Sequence, residues 1–179
     1  VLSHQGIAHY DFFADFRRLA QIDEYAQRLQ SGTREMGPQN AYWTETRAGL
    51  IQTALTLLLT TDERVTFDSF VEFARAWWFS GDVTEVTRRI AFLARLLAEA
   101  QLPSLTRRRL ELAIQENKNW QTMDGRTKEL HRSTLLNCMR PLLSPSGSAY
   151  FSEQNGPQFH PRQVLDGKIL VAACNATAQ

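Results

Sequence analysis

Cysteine and long apolar runs are both scarce in this sequence. Cys138 and Cys174 are the only cysteines; they stand far apart in apolar settings and have no CxxC spacing. This usage disfavours a disulfide framework, and we expect reduced, buried thiols in a cytosolic protein. The longest apolar run, over residues 50–59, is broken by polar residues and is too short to span a bilayer. The amino terminus also lacks the charged-then-apolar pattern of a signal peptide.

A strong net charge is missing as well. The formal charge is +1, so any contact with nucleic acid must come from a local basic patch rather than from overall basicity. The hydrophobic share of 43% and the charged share of 22% are ordinary for globular proteins. A chain of 179 residues with this composition is long enough to bury a core, and we expect one domain with at most a small appendage.

The motifs of the common catalytic sites are also missing. There is no GxxxxGKS/T, no GxGxxG, no HExxH and no GxSxG. Gly167-Lys168 has no glycine-rich loop before it and is interpreted as a turn into a strand. His4 and His9, near Asp11, could in principle hold a metal ion, but solvated histidines are the preferred interpretation. We therefore predict that the chain has no complete catalytic site and no metal site.

Helical periodicity accounts for most of the chain. The predicted helices cover residues 8–29, 40–60, 67–79, 83–100, 105–120 and 127–143. The second has a wide apolar face, which is typical of a central, heavily covered helix. Thr66 and Asp82 are predicted N-cap residues of the third and fourth helices. Pro141 is expected to kink or end the last one.

One face of the last predicted helix is largely apolar. We expect it to lie in the core, with Cys138 among its members; they are Leu130, Thr134, Leu135, Cys138, Met139 and Leu142. His131 is interpreted as a surface or packing residue. The tryptophans could stack on bases, but helical spacing favours burial of Trp43 and Trp77. Trp78 lies off that face, which predicts an interface residue or a second packing layer.

The composition changes after residue 143. Residues 144–161 are rich in Ser, Gly, Asn and Pro and are predicted to be loop. The apolar run over residues 169–174 is typical of a buried strand, yet the sequence offers no second strand to pair with it. We therefore predict an all-α fold of about six helices over residues 1–143, followed by a loop and a short C-terminal β-strand over 144–179. A lone core strand, and a first residue that is Val rather than Met, suggest a fragment of a larger protein.

Basic residues gather at the starts of two predicted helices and shortly after them. Positive charge at a helix N-terminus opposes the helix dipole, so local stability does not favour an arginine run there. A negatively charged partner such as a phosphate backbone would account for the run, and ion pairs within the fold are the alternative explanation. The candidate partner-binding residues are Arg88, Arg89, Arg107, Arg108, Arg109, Lys118, Arg126 and Lys128.

Two segments together resemble a known family. Residues 40–51, NAYWTETRAGLI, resemble the aromatic-Trp, Ala and leucine-rich helix segment of the type IV secretion and conjugation coupling ATPases. Residues 161–171, PRQVLDGKILV, resemble the loop, Gly-Lys and hydrophobic strand by which such proteins return to a RecA-like core. Residues 120–143 are similar to the helix that precedes this return.

The resemblance implies the all-α domain inserted between the Walker A and Walker B motifs of a VirD-type coupling ATPase. In that family the domain lies at the cytoplasmic mouth of a hexameric ring and meets DNA, relaxosome components or secreted protein substrates. The parent would be a membrane-associated ATPase that uses ATP and Mg. This chain lacks both Walker motifs, so no cofactor and no catalytic residue is carried over to it.

The first functional hypothesis is therefore a cytoplasmic, non-catalytic cargo-recognition or DNA-binding domain, monomeric in isolation, with the basic residues facing the cargo. The alternative is an independent helical adaptor or regulatory domain that binds another protein through an apolar face. A metal- or cofactor-dependent enzyme is the least favoured class. Phosphate contacts weaken steeply with salt whereas an apolar protein interface does not, so salt dependence separates the first two hypotheses.

Overall fold

The structure, a computed structural model, describes residues 9–10, 12–30, 41–62, 64–145, 151–152 and 158–159. Of these residues, 82% are helical, which confirms the predicted mostly helical class. The helices are α1 (Ile22–Gln30), α2 (Ala41–Thr61), α3 (Phe67–Ala74), α4 (Thr84–Glu99), α5 (Ser104–Thr122) and α6 (Gly125–Leu143). The predicted C-terminal strand lies outside the described residues. None of the described helices is both long and apolar enough to cross a membrane.

Helix α2 is the centre of the fold. It packs against α1, α3, α4, α5 and α6, as its wide apolar face predicted. Between residues 50 and 58 two threonines are also buried, since Thr53 is 2% exposed and Thr56 is fully covered. The Thr56 hydroxyl is satisfied locally, because it donates to the carbonyl oxygen of Gln52 at 2.7 Å.

The start of α3 follows the sequence prediction. Thr66 is the N-cap, and it forms a reciprocal capping box with Ser69. The Ser69 amide donates to the Thr66 hydroxyl oxygen at 3.1 Å, and the Thr66 amide donates to the Ser69 hydroxyl oxygen at 3.0 Å. Two amide groups that the helix itself leaves unpaired are thereby satisfied.

A π-helical turn over Arg75–Ser80 continues α3, and it favours the packing alternative over the interface alternative for Trp78. A π-turn has i→i+5 hydrogen bonds, so consecutive side chains are closer in direction than in an α-helix. Trp77 and Trp78 are both buried as a result, at 1% and 0% exposure. The turn ends at Gly81, whose φ of 71° lies in the left-handed region that favours glycine.

The predicted helix over residues 8–29 is wrong in its first half. Residues 12–15 form a turn, a short 3₁₀ segment covers Leu19–Gln21, and α1 begins only at Ile22. The side-chain oxygen of Gln21 accepts from the amides of Arg17 and Arg18, both at 3.0 Å. This local capping competes with a continuous helix.

The aromatic residues of this irregular segment still enter the core. Phe13 and Phe16 are fully buried against Tyr25 of α1, with ring centroids 5.6 Å and 4.7 Å apart. Their apolar spacing therefore indicated burial correctly although it indicated the wrong local conformation.

Helix α6 begins at Gly125, two residues before the predicted start, and its buried face differs by one position. Asp124 caps it, accepting from the Thr127 amide at 3.0 Å, and the helix continues past Pro141 to Leu143. Leu130, predicted in the core, is 50% exposed, whereas His131 is fully buried beside Trp120. The buried face of α6 comprises His131, Leu135, Cys138 and Met139.

The segments before α1 and after α6 lie side by side. Strand β1 (His9–Tyr10) pairs in parallel with β2 (Gln158–Phe159). Next to this pairing, Phe12 and Phe151 form an edge-to-face pair with ring centroids 5.9 Å apart. The chain thus approaches and leaves the helices at one place.

Candidate functional site

The two arginines near the start of α4 have different environments. Arg89 is nearly buried and holds an ion pair to Asp62 at 2.6 Å and another to Glu85 at 2.9 Å. It also donates to the Thr61 hydroxyl, and its guanidinium carbon lies 5.4 Å from the centroid of the Phe73 ring. Arg89 thus joins the end of α2 to α3 and α4, and its charge is matched inside the fold.

Arg88 is exposed and pairs with Glu85 alone, at 2.6 Å. Its hydrogen bonds are the main reason why the pKa of Glu85 lies below the usual value, with Arg89 adding to the effect. An exposed pair of this spacing contributes only a few tenths of a kcal/mol. Arg88 therefore remains accessible to a partner.

The three arginines at the start of α5 have three different environments. Arg107 donates to the carbonyl oxygens of Leu97 and Ala100, at 3.3 Å and 3.4 Å, where α4 ends. Positive charge is favourable at the C-terminal end of a helix, so stabilisation of α4 explains the position of Arg107. Arg109 pairs with Asp23 of α1 at 2.7 Å. Arg108 is exposed, and no hydrogen bond or ion pair joins it to another described residue.

The remaining predicted cations lie on α5 and α6. Lys118 and Arg126 are exposed and, like Arg108, make no side-chain pair within the described parts of the chain. The Lys128 ammonium lies 5.7 Å from the centroid of the Trp120 ring, within the range of a cation–π interaction. The accessible and unpaired members of the predicted set are therefore Arg108, Lys118 and Arg126.

Arg89 and Arg107 contact α4 at two separate places. Arg107 meets α4 near Leu97, which follows Arg89 by eight positions, or about 12 Å of helix. Trp77, Trp78 and Trp120 do not supplement them as stacking surfaces, because each is at most 3% exposed. The predicted burial of Trp43 lies outside the described side chains.

A groove between α2 and α5 was not anticipated from the sequence. It consists of two adjoining depressions of about 310 Å³ and 230 Å³, and Glu45 and Glu116 line both of them. Gly49 allows the two helices to come close here, because a Cβ at that position would lie 3.4 Å from the Glu116 carboxylate. We call this feature the α2–α5 groove; its other lining residues are Thr46, Leu50, Gln52, Thr53, Thr56, Arg109, Leu112, Ala113, Asn119, Trp120 and Met123.

The sequence contained a signal for this groove. Glu45, Gly49 and Thr53 are spaced by four, so they form a polar and small line along the otherwise apolar helix α2. Of these three residues, only Thr53 falls in the apolar run over residues 50–59, where it was interpreted as an interruption. Their partners on α5 lie some sixty positions away, and no local pattern predicts which helix covers the line.

No cluster of three or more potential metal ligands occurs in the described parts of the chain. His4 and Asp11 lie outside those parts. His131 is buried in the core, and burial lowers its pKa, which favours the neutral imidazole. Its position on α6 fits the packing role that the sequence allowed for.

Comparisons with protein-family models, with curated proteins and with solved structures found no match for this chain. The resemblance to coupling ATPases therefore stays a prediction, and the function is argued from the residues alone.

Proposed function

We propose that this chain is a helical cargo-recognition domain inserted into a type IV secretion or conjugation coupling ATPase. The proposal combines the sequence resemblance of residues 40–51 and 161–171 with one structural observation, the adjacency of the two segments that flank the helices. It assigns binding to this domain, at the cytoplasmic face of the membrane, and leaves ATP hydrolysis to the hexameric parent.

The adjacency supports insertion because an inserted domain must leave its host near the point where it started. Tyr10 pairs with Phe159 in the parallel register of β1 and β2. Phe151 packs on Phe12 and also on Phe67 at the start of α3, with ring centroids 5.2 Å apart in the latter pair. The Ser152 hydroxyl donates to the Asp68 carboxylate at 3.0 Å, so the outgoing segment is held to the helices.

DNA is one cargo that the accessible cations suit. Arg108, Lys118 and Arg126 are exposed and unpaired among the described residues, so phosphate contacts would not break existing ion pairs. Arg107 and Arg109 are unsuitable for a charge-reversal test, because their replacement would also disturb α4 and the pairing with α1. The test therefore uses the three unpaired cations.

The triple variant Arg108→Glu, Lys118→Glu, Arg126→Glu is expected to weaken DNA binding at least about tenfold. The reason is that each phosphate contact contributes roughly 0.9 to the slope of log K against log salt, and the variant removes up to three contacts. Fluorescence anisotropy of labelled single- and double-stranded DNA, titrated at low and moderate salt, measures both the affinity and the slope.

The matched control reverses three other exposed arginines, Arg75, Arg95 and Arg140, which changes the net charge equally. It should retain more affinity than the first variant if the predicted residues bind the phosphates. Equal losses in both variants would mean a diffuse charge effect. No binding by folded wild-type protein at low salt would remove DNA as a direct ligand of this domain.

A protein-binding adaptor is the second candidate, and exposed leucines favour it. Leu105 and Leu112 on α5 are 84% and 41% exposed, and their spacing of seven places them on one face of the helix. Binding to a protein through such a face would persist at moderate salt, unlike binding to phosphates.

A further inference from the structure

The α2–α5 groove carries negative charge that the fold does not neutralise. Neither Glu45 nor Glu116 forms an ion pair with another described residue. Arg109 is the one cation among the residues that line the groove, and it is already paired with Asp23. The other oxygen of the Asp23 carboxylate accepts from the Gln52 side-chain amide at 2.9 Å.

The side chain of Thr53 lines the same groove and adds a polar group to its carboxylates. Thr53 is 2% exposed, yet no hydrogen bond joins its side chain to another described residue. Thr56, one turn further along α2, has the usual bond to a helix carbonyl. The Thr53 hydroxyl oxygen is open to the groove, where a ligand group that donates a hydrogen bond could reach it.

We propose that the α2–α5 groove binds an arginine side chain from a basic segment of a partner protein. The groove offers a hydroxyl and two carboxylates without an ion pair among the described residues, of which Glu116 also accepts a long hydrogen bond from Asn119 at 3.5 Å. All three groups are acceptors, and a guanidinium is a planar group with five donors and no acceptor. Leu50 and Leu112 provide apolar surface for the aliphatic part of such a side chain. Phosphates would be repelled by the carboxylates, so the groove is not a DNA site.

This inference rests on the proposed function, because it specifies one kind of partner for the binding domain. It also separates two surfaces: the unpaired cations suit phosphates, and the acidic groove suits a basic protein segment. A coupling domain with both could contact a nucleic acid and a protein of the same cargo complex.

The probe is a fluorescein-labelled octapeptide in which glycine and arginine alternate, titrated with the protein at low salt and followed by anisotropy. The variant Glu45→Gln, Glu116→Gln is expected to weaken binding at least about tenfold, because it removes both charged acceptors at almost unchanged volume. The Thr53→Val variant should weaken binding by a smaller factor, about threefold, through loss of one neutral hydrogen bond. Circular dichroism establishes that each variant is folded.

Two controls distinguish the groove from general attraction. Glu72→Gln, Glu99→Gln removes the same charge at exposed positions outside the groove and should change the affinity less than twofold. A peptide with citrulline in place of arginine keeps the shape without the charge and should not bind measurably. Absence of binding by the wild type, equal loss in the control variant, or equal binding of the citrulline peptide would overturn the proposal.

The outcome is independent of the DNA measurement. If the peptide fails while DNA binds through the unpaired cations, the groove proposal is wrong and the cargo-recognition function stands. If the peptide binds and DNA does not, the groove stands, and the adaptor function becomes the better account of the domain.

Discussion

Replacement of Trp78 by alanine is expected to lower the free energy of unfolding by about 3–5 kcal/mol. Trp78 is fully buried and packs edge-to-face on Phe70, with ring centroids 6.3 Å apart, and against Trp77 at 5.7 Å. Alanine would leave a large cavity where α3 continues as a π-turn. Urea denaturation followed by far-ultraviolet circular dichroism gives the change in free energy directly.

The matched control is Trp78→Phe, which keeps an aromatic ring in the core. The indole N–H of Trp78 is buried without a hydrogen-bond partner among the described residues, so phenylalanine also removes an unsatisfied donor. We expect a loss of only about 1 kcal/mol, far below that of alanine. A loss below about 1 kcal/mol for alanine itself would mean that Trp78 lies outside the core, and it would revive the stacking role.

Arg89→Met is expected to destabilise the protein by about 2–4 kcal/mol, although methionine restores most of the buried volume. The change leaves the Asp62 and Glu85 carboxylates without the guanidinium that they share. Removal of one partner from a buried ion pair is strongly destabilising, and the partial exposure of the two carboxylates reduces the figure here. Urea denaturation at neutral pH measures it.

Arg88→Met provides the comparison, because Arg88 pairs with the same Glu85 but lies in solvent. Its removal should lower the free energy of unfolding by less than about 0.5 kcal/mol. Similar losses for Arg88 and Arg89 would contradict the structural role of Arg89. Both residues would then be equally good candidates for partner binding.

The sequence indicated the Thr66 cap of α3 correctly, whereas Asp82, the predicted N-cap of α4, lies one residue before the actual N-cap, Val83. Thr66 and Asp124 cap α3 and α6 through hydrogen bonds to amides three positions further along, which a sequence pattern can indicate. The first predicted helix failed because Gln21 caps the chain locally after Arg18, at a place where the apolar spacing gives no warning. The burial of Trp78 depends on a π-turn, which has no reliable sequence pattern.

The roles of Arg107 and Arg109 could not be predicted because only the packing of the helices brings their partners close. Arg109 meets Asp23 across 86 positions, and Arg107 meets the end of α4 only because α4 and α5 pack together. Arg107 and Arg109 therefore have partners within the fold and do not require an external one. Arg108, whose side chain has no such contact within the described parts, is the arginine at the start of α5 for which an external partner is still expected.

The α2–α5 groove also depends on packing between helices that the sequence does not indicate. Its polar line on α2 was visible in the sequence, but its meaning depends on Glu116, which only tertiary packing brings next to Gly49. A stripe of this kind on an apolar helix indicates that something polar lies opposite, without indicating what it is.

The most direct test of the proposed identity is to sequence the gene on both sides of this coding segment. An inserted domain of a coupling ATPase requires an upstream strand, a GxxxxGKS/T loop and a helix in the same reading frame. It also requires that a hydrophobic strand ending in an acidic Walker B residue follows the helical domain. An open reading frame without these motifs would contradict the insertion and leave an independent helical adaptor as the account of this chain.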